Sequence, residues 1–389
     1  MSEKRKVFFL SSGEYVSDSR IYKQAHSLDK AGYDVMILAV WRKGLERVEK
    51  EGGIQIERMY FPILKKFSFP FHKKRLLLPF YTLRAIKRIR AYKPDVIQCE
   101  RVHTIHIGLI CKWLFGAKFV YDSRELAAYW PRMINSRDMT RRMLIGYEKF
   151  VSKRAGFVIQ TTESRAQRFY LDTKIKATVI MNKPLPPQNG KVIQPLAKAY
   201  HQDNKKVVAY VGAIIPGRGI EHVAEAVAEL KDVKFLLIGP LKQKGEAIVK
   251  NYSKVIEYFN PVDPALITSV LEGVDVGISF VQNICLSYYY SCPTKLWELL
   301  VSGVPQLGSD FPEYRKIIRE NAIGPVGRLC DPDNPEEIKR ELHQMLNNPN
   351  ELQEYRENAL KLREQCVWET EGRKLVANYE RILNTSAMN

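Results

Sequence analysis

Residues 284–307 read Ile-Cys-Leu-Ser-Tyr-Tyr-Tyr-Ser-Cys-Pro-Thr-Lys-Leu-Trp-Glu-Leu-Leu-Val-Ser-Gly-Val-Pro-Gln-Leu. Their punctuation predicts a loop, a helix of about ten residues and a short strand. Pro293 suits the first helical position, where its missing N–H would be an orphan anyway, and Ser291 or Cys292 is available just before it. Leu296, Leu299 and Leu300 fall on one helical face, and Gly303 with Pro305 stops the helix. Lys295 and Glu298 share another face. A helix N-terminus presents unpaired N–H groups and a positive dipole end, which suits phosphate, and Lys295 adds a full charge there. Glu298, one turn deeper, can accept from two neighbouring hydroxyls such as a ribose offers. A plain surface helix with a Lys–Glu pair fits this stretch equally well.

The chain has 389 residues, enough for two or three domains, and its 45% apolar and 27% charged content is that of a globular protein. The formal charge of +18 is unevenly placed. Residues 1–190 carry 37 Lys and Arg against 17 Asp and Glu, while residues 191–389 carry 24 against 26. A basic half joined to a near-neutral half points to an anionic surface or polymer for one domain and a different task for the other. No apolar run approaches a membrane span and Val7 to Leu10 is too short for a signal core, so a cytoplasmic location is expected. Six scattered cysteines without a C-x-x-C pair fit reduced thiols. His103 and His106 lack ligand-spaced partners, so no metal is expected.

The first half opens with a strand at Arg5–Leu10, a turn at Ser11-Ser12-Gly13, a helix over residues 18–31 and a strand at Val35–Val40. This βαβ order implies a parallel sheet. Asp18-Ser19-Arg20 reads as a helix cap with a solvated neighbour, in preference to a catalytic role. Lys65–Lys93 holds ten Lys and Arg and no acid, interleaved with Phe67, Phe69, Phe71 and Phe80. Leu78, Tyr81, Ala85, Ile89 and Tyr92 form one helical stripe, with Arg84, Lys87 and Arg88 away from it. The basic face is either solvated or set on anionic lipid headgroups, at about 1 kcal/mol per basic residue, with Arg132, Arg137, Arg141 and Arg142 extending the patch. Further strands are expected at Asp95–Gln98, Ala117–Tyr121, Phe157–Gln160 and Ala177–Met181. Asp122, Arg124 and Glu125 follow the second of these, where ligands of open α/β sheets bind, although a capped helix start with an ion pair fits them as well.

Three prolines among residues 184–187 mark a domain boundary, and residues 186–204 read as a linker. Strand Lys206–Val211 then leads through Gly212-Ala213-Ile214-Ile215-Pro216-Gly217-Arg218-Gly219 into a helix at about Ile220. Glycines admit phosphate close to the backbone and Arg218 can pair with it bidentately. Strands are expected at Lys234–Ile238, Val255–Phe259 and Asp275–Phe280, with helices between them and Gly239-Pro240 after the first.

Pro293-x-Lys295-x-x-Glu298 followed by Ser302-Gly303-Val304-Pro305 resembles the donor-site helix of GT-B glycosyltransferases, particularly the retaining family 4 (group 1). Arg218-Gly219 matches the second half of that family's pyrophosphate motif, and Asp18 to Val35 looks like its first helix and second strand. The resemblance implies two Rossmann-like domains with parallel sheets facing a cleft. These would be a basic acceptor domain at 1–185, a linker at 186–204, a nucleotide-sugar domain at 205–365 and a C-terminal helix at 366–389 crossing back. It also implies donor contacts by Gly13, Gly212, Arg218, Gly239, Ser291, Thr294, Lys295 and Glu298. Catalytic roles would fall to Arg218, Lys295, Asp122, Arg124 and Glu125, with no metal or other cofactor. The partners would be a nucleotide-sugar, a lipid-linked or glycan acceptor and an anionic membrane surface, the protein lying peripherally on the inner face of the plasma membrane. Nucleic acid is not expected. Three positions depart from the pattern: Ser291 where the family has a sugar-contacting Glu, Ala213 where it has a cation, and Arg124 where it often has His. Arg stays protonated and cannot serve as a general base. The expected activity is retaining transfer of a sugar in cell-envelope glycan synthesis, and the alternative is a catalytically weak nucleotide- or glycan-binding partner subunit.

Overall fold

Strands with apolar residues on both faces alternate with amphipathic helices along the chain, and such strands pair in parallel because each crossover helix covers the sheet it leaves. The computed structural model describes residues 4–16, 18–60, 78–186, 194–242 and 244–384. It divides into two units, Met1–Ile180 with Gly372–Asn389, and Met181–Glu371.

The first unit holds β1 (Lys6–Leu10), β2 (Asp34–Val40), β3 (Val48–Glu51), β4 (Ile54–Met59), β5 (Val96–Glu100), β6 (Lys118–Asp122), β7 (Phe157–Gln160) and β8 (Thr178–Val179). They lie in the order β3-β4-β2-β1-β5-β6-β7-β8, parallel except for β3 against β4. The β3–β4 hairpin was not foreseen; its Gly52-Gly53 turn was the available signal. Helices Leu78–Tyr92, Ile105–Phe115 and Asp138–Ser152 lead from β4 to β5, β5 to β6 and β6 to β7. All three crossovers run the same way along the sheet, so right-handed connection sets them side by side on one face. Of the stripe expected on the first helix, Tyr81, Ala85 and Ile89 are buried, while Leu78 is exposed. Lys65 to Leu77 lies outside the described residues.

The second unit holds β9 (Lys206–Val211), β10 (Val233–Ile238), β11 (Ile256–Phe259), β12 (Val276–Ile278), β13 (Gln306–Ser309) and β14 (Gly327–Cys330), in the order β11-β10-β9-β12-β13-β14 and parallel throughout. Side chains alternate between its two faces: Val208, Tyr210, Phe235 and Leu237 enter one core, Val207, Ala209, Leu236 and Ile238 the other. The order reverses between β9 and β12, and loops leaving the carboxyl ends of strands at such a reversal form a crevice. Residues 197–202, expected within a linker, form a helix whose Ala197 is fully buried. The helix Trp368–Asn384 supplies its residues up to Glu371 to the second unit and those from Gly372 to the first.

Candidate active site

In the second unit the site forms around the β9–β12 reversal. The chain leaves β9 through Gly212 (φ 127°) and leaves β10 through Gly239 (φ 144°). A Cβ on Gly239 would lie 2.1 Å from the Gly212 carbonyl oxygen, so the close approach of two backbones requires glycine there whether or not a ligand is present. Gly219 (φ 64°) turns the chain into the helix Ile220–Ala228, with Arg218 at its mouth.

The helix Thr294–Val301 starts one residue later than the sequence suggests. Pro293 is extended (ψ 152°) and stands as the cap, and no side chain caps the helix. The Ser291 hydroxyl donates to the Tyr288 carbonyl (2.6 Å), and Thr294 Oγ1 accepts from Asn182 Nδ2 (2.9 Å). Lys295 does not share a solvated face with Glu298. It is 6% exposed, its Nζ donates to the Phe280 carbonyl oxygen (2.6 Å) just past β12, and it lies 4.2 Å from the centroid of the Tyr210 ring. Burial drives the Lys295 pKa well below its ordinary value; the nearby Arg218 charge acts in the same direction and the Glu298 carboxylate opposes both. Arg218 stacks over the Tyr288 ring at 5.2 Å. Among the described residues neither Arg218 nor Lys295 is held in an ion pair. Arg218 and Lys295 therefore stand near each other beside a helix N-terminus, with the Glu298 carboxylate as a neighbour but no ion pair to either among the described residues, and a dianionic ligand would balance the two basic groups. The Tyr210 hydroxyl donates to the Ala213 carbonyl (3.0 Å), and burial pushes its pKa up to about 12.

In the first unit the expected residues are organised differently. Asp122 is fully buried and accepts from Arg20 Nε (2.8 Å), Arg20 Nη2 (3.1 Å) and Gln24 Nε2 (2.8 Å). Burial alone would raise its pKa, but the Arg20 guanidinium outweighs that and, with Arg124 and Gln24, holds it below the ordinary carboxylate range. With no exposed surface, Asp122 organises this network. Arg20, expected in solvent, is 4% exposed and also donates to the Ile180 carbonyl. Asp18 does cap the helix Ser19–Lys30, accepting from the Arg20 and Ile21 N–H groups, and also pairs with Arg124 Nη1 (2.7 Å). The Arg124 Nε donates to Glu100. The Arg124 charge is thus spent on two carboxylates. Gln98 links the two halves of the network by donating to Gln24 and Glu100, and Tyr379 of the last helix donates to Gln98 Oε1 (2.5 Å). Burial, against the pull of Arg124 and reinforced by Asp122 and Asp18, pushes the Glu100 pKa up to about 7. Glu125 is half-buried, 3.9 Å from Arg101 Nε, and the Gly13 N–H donates to Ser11 Oγ (3.2 Å).

Gln24, Glu100, Tyr379 and Tyr210 escaped the reading of the sequence, which had singled out Arg20 but not its partner. None carries a local motif, and Arg20 and Tyr379 meet their partners across 102 and 281 residues. Among the described residues no group of three or more His, Cys, Asp or Glu could hold a metal ion.

Two family models match the chain: Glycosyl transferases group 1 over residues 196–362, and Glycosyltransferase Family 4 over residues 19–182. A protein of Bacillus subtilis, named as a candidate glycosyltransferase of teichuronic acid biosynthesis, is 27% identical over 28% of each chain. The chain spans less than half the length of the curated relatives it matches. Among solved structures, sucrose-phosphate synthase from Thermosynechococcus elongatus superposes with a TM-score of 0.77 at 18% identity, covering 98% of this chain and 100% of that one. The Anabaena protein HepE, solved with UDP-glucose, superposes with a TM-score of 0.71 at 13% identity, covering 97% and 99%. With a Rossmann-like sheet in each unit and the two models matching successive halves of the sequence, the chain belongs to the group 1 glycosyltransferases of the GT-B fold.

Proposed function

We propose that this protein transfers a sugar from a nucleoside diphosphate to a lipid-linked or polysaccharide acceptor in cell-envelope glycan synthesis, with retention at the anomeric carbon and without a metal. The observation that carries this reading is the pairing of Arg218 with a buried Lys295 at a helix N-terminus, neither cation held in an ion pair among the described residues. When the anomeric C–O bond of the donor breaks, negative charge gathers on the departing diphosphate. Cations and N–H groups already in place stabilise that charge by several kcal/mol, because they need no reorganisation as it develops. Glu298, one helical turn below Lys295, is assigned to the nucleotide ribose. The UDP-glucose bound to HepE supports a nucleotide-sugar donor, and the teichuronic acid relative supports an envelope glycan.

A second reading, nucleotide binding without transfer, is favoured by the Ser291 hydroxyl, which is turned onto the Tyr288 carbonyl. Titrating the protein with UDP, GDP, ADP and CDP in EDTA, as wild type and as Glu298→Ala, tests the donor site. One nucleotide binds at least tenfold more tightly than the others, and the substitution costs about 1–3 kcal/mol. If none binds, the donor reading fails. Binding that needs added metal removes the metal-independent clause, and binding with no turnover of any sugar or acceptor selects the second reading.

A further inference from the structure

The helix Asp138–Ser152 is turned the wrong way out for a helix that meets only water. Its buried residues are Glu148, Val151 and Ser152, while Met139 (65% exposed), Met143 (68%) and Phe150 (45%) line its outer face. These three recur at four- and seven-residue intervals, one stripe of a 3.6-residue helix. The neighbouring helix Ile105–Phe115 ends in Trp113 and Leu114, 63% and 61% exposed, and the helix beyond it, Leu78–Tyr92, exposes Leu83 at 67%. Single exposed apolar residues are ordinary, but an outward apolar stripe on one helix with exposed apolar residues on the two helices beside it marks a surface that meets something apolar.

Charge identifies the occupant. The helices Leu78–Tyr92 and Ile105–Phe115 contain Arg84, Lys87, Arg88, Arg90 and Lys112 and no Asp or Glu. On the third, Arg142 is exposed beside Met143, and Asp138 is the one exposed acid, since Glu148 is buried. The Arg154 guanidinium lies 3.9 Å from the Phe150 ring centroid, and Lys112 Nζ donates to the Arg154 carbonyl (2.7 Å), so the basic groups sit directly among the apolar ones. Apolar side chains that can enter an acyl layer, ringed by cations at the height of headgroups, match a bilayer rich in anionic lipid. We propose that the outer face of these three helices docks on an anionic membrane surface, with Met139, Met143, Phe150, Trp113 and Leu83 inserted. The proposal is independent of the sugar-transfer reading, because docking is measured without donor or acceptor.

The test is flotation of the full chain with phosphatidylcholine vesicles containing or lacking about one-third phosphatidylglycerol (an anionic fraction high enough to set a surface potential), for wild type, Met143→Glu with Phe150→Glu, and Trp113→Glu. Wild type floats with the anionic vesicles and at least tenfold less with the neutral ones. Each variant loses at least tenfold in partitioning with an unchanged melting temperature, since the replaced side chains are exposed. Equal binding to both vesicle types, no binding at low salt, or variants that bind like wild type would overturn the proposal. So would sedimentation showing a wild-type dimer that the variants dissociate, because the face would then be closed by a second copy.

Discussion

Replacing Lys295 by Met separates a ligand-binding cation from a structural one. The methionine keeps the apolar stem buried beside the Tyr210 ring and removes only the ammonium. Two effects on stability oppose each other. The Phe280 carbonyl loses its donor at 2.6 Å, which costs about 1–3 kcal/mol, while the penalty for burying a cation disappears. The net change in unfolding free energy is therefore small, within about 2 kcal/mol. Binding has no such offset: a charge-assisted hydrogen bond to a diphosphate is worth about 1.5–3 kcal/mol, so affinity falls roughly 10- to 150-fold. The lysine also predicts a pH effect with a definite sign. Burial and Arg218 lower its pKa in the free protein, and a bound dianion raises it again, so binding takes up a proton wherever the pH lies between those two values. Affinity then falls as pH rises from the free toward the bound pKa, by up to about one logarithmic unit per pH unit. Calorimetry in buffers of different ionisation enthalpy reads the proton count, and urea denaturation reads stability. Lys295→Met binding the nucleotide as tightly as wild type, or retaining the same proton uptake, would refute the assignment.

Three further outcomes follow from the same geometry. Arg20→Met strands the fully buried Asp122 carboxylate without its cation and lowers the unfolding free energy by about 3–5 kcal/mol; a loss under about 1 kcal/mol in urea would show that the network is not structural. Glu148, buried and accepting from the Tyr121 hydroxyl at 2.6 Å, has its pKa pushed up to about 7, chiefly by burial. Stability is fully present below the unfolded value of about 4.5 and is lost as pH rises through about 7, so Glu148→Gln should melt higher than wild type at pH 8 by an amount that vanishes near pH 4.5. A difference that grows toward low pH would reverse the argument. Gly239→Ala places a Cβ 2.1 Å from the Gly212 oxygen at φ 144° and lowers the melting temperature with no nucleotide present, at a cost of about 1–3 kcal/mol; an unchanged melting temperature would leave the glycine to ligand contact alone.

Much of the architecture was legible because its signals are local. The strand Lys206–Val211 has its expected bounds, the helix over residues 18–31 forms at Ser19–Lys30, and the Gly-rich turn and Pro-led helix flank the β9–β12 reversal. Apolar runs, caps and glycines act over a few residues, so they can be read in one dimension. The hairpin β3–β4 was lost because its strands are mostly polar and exposed, and only their Gly-Gly turn speaks for them.

By itself the sequence determined the order of the elements, the uneven charge of its halves and the placing of Arg218 in the Gly-rich turn and of Lys295 and Glu298 on the Pro-led helix. Burial decided the rest. It turned Lys295 from a surface partner of Glu298 into a desolvated cation bonded to the Phe280 carbonyl. It set Asp122 and Arg124 in a network with Arg20, Glu100 and Tyr379, and it left Met143, Phe150 and Trp113 outside. The physical reason is that solvation and charge pairing depend on distances between residues a hundred or more positions apart, and those distances exist only once the sheets have formed.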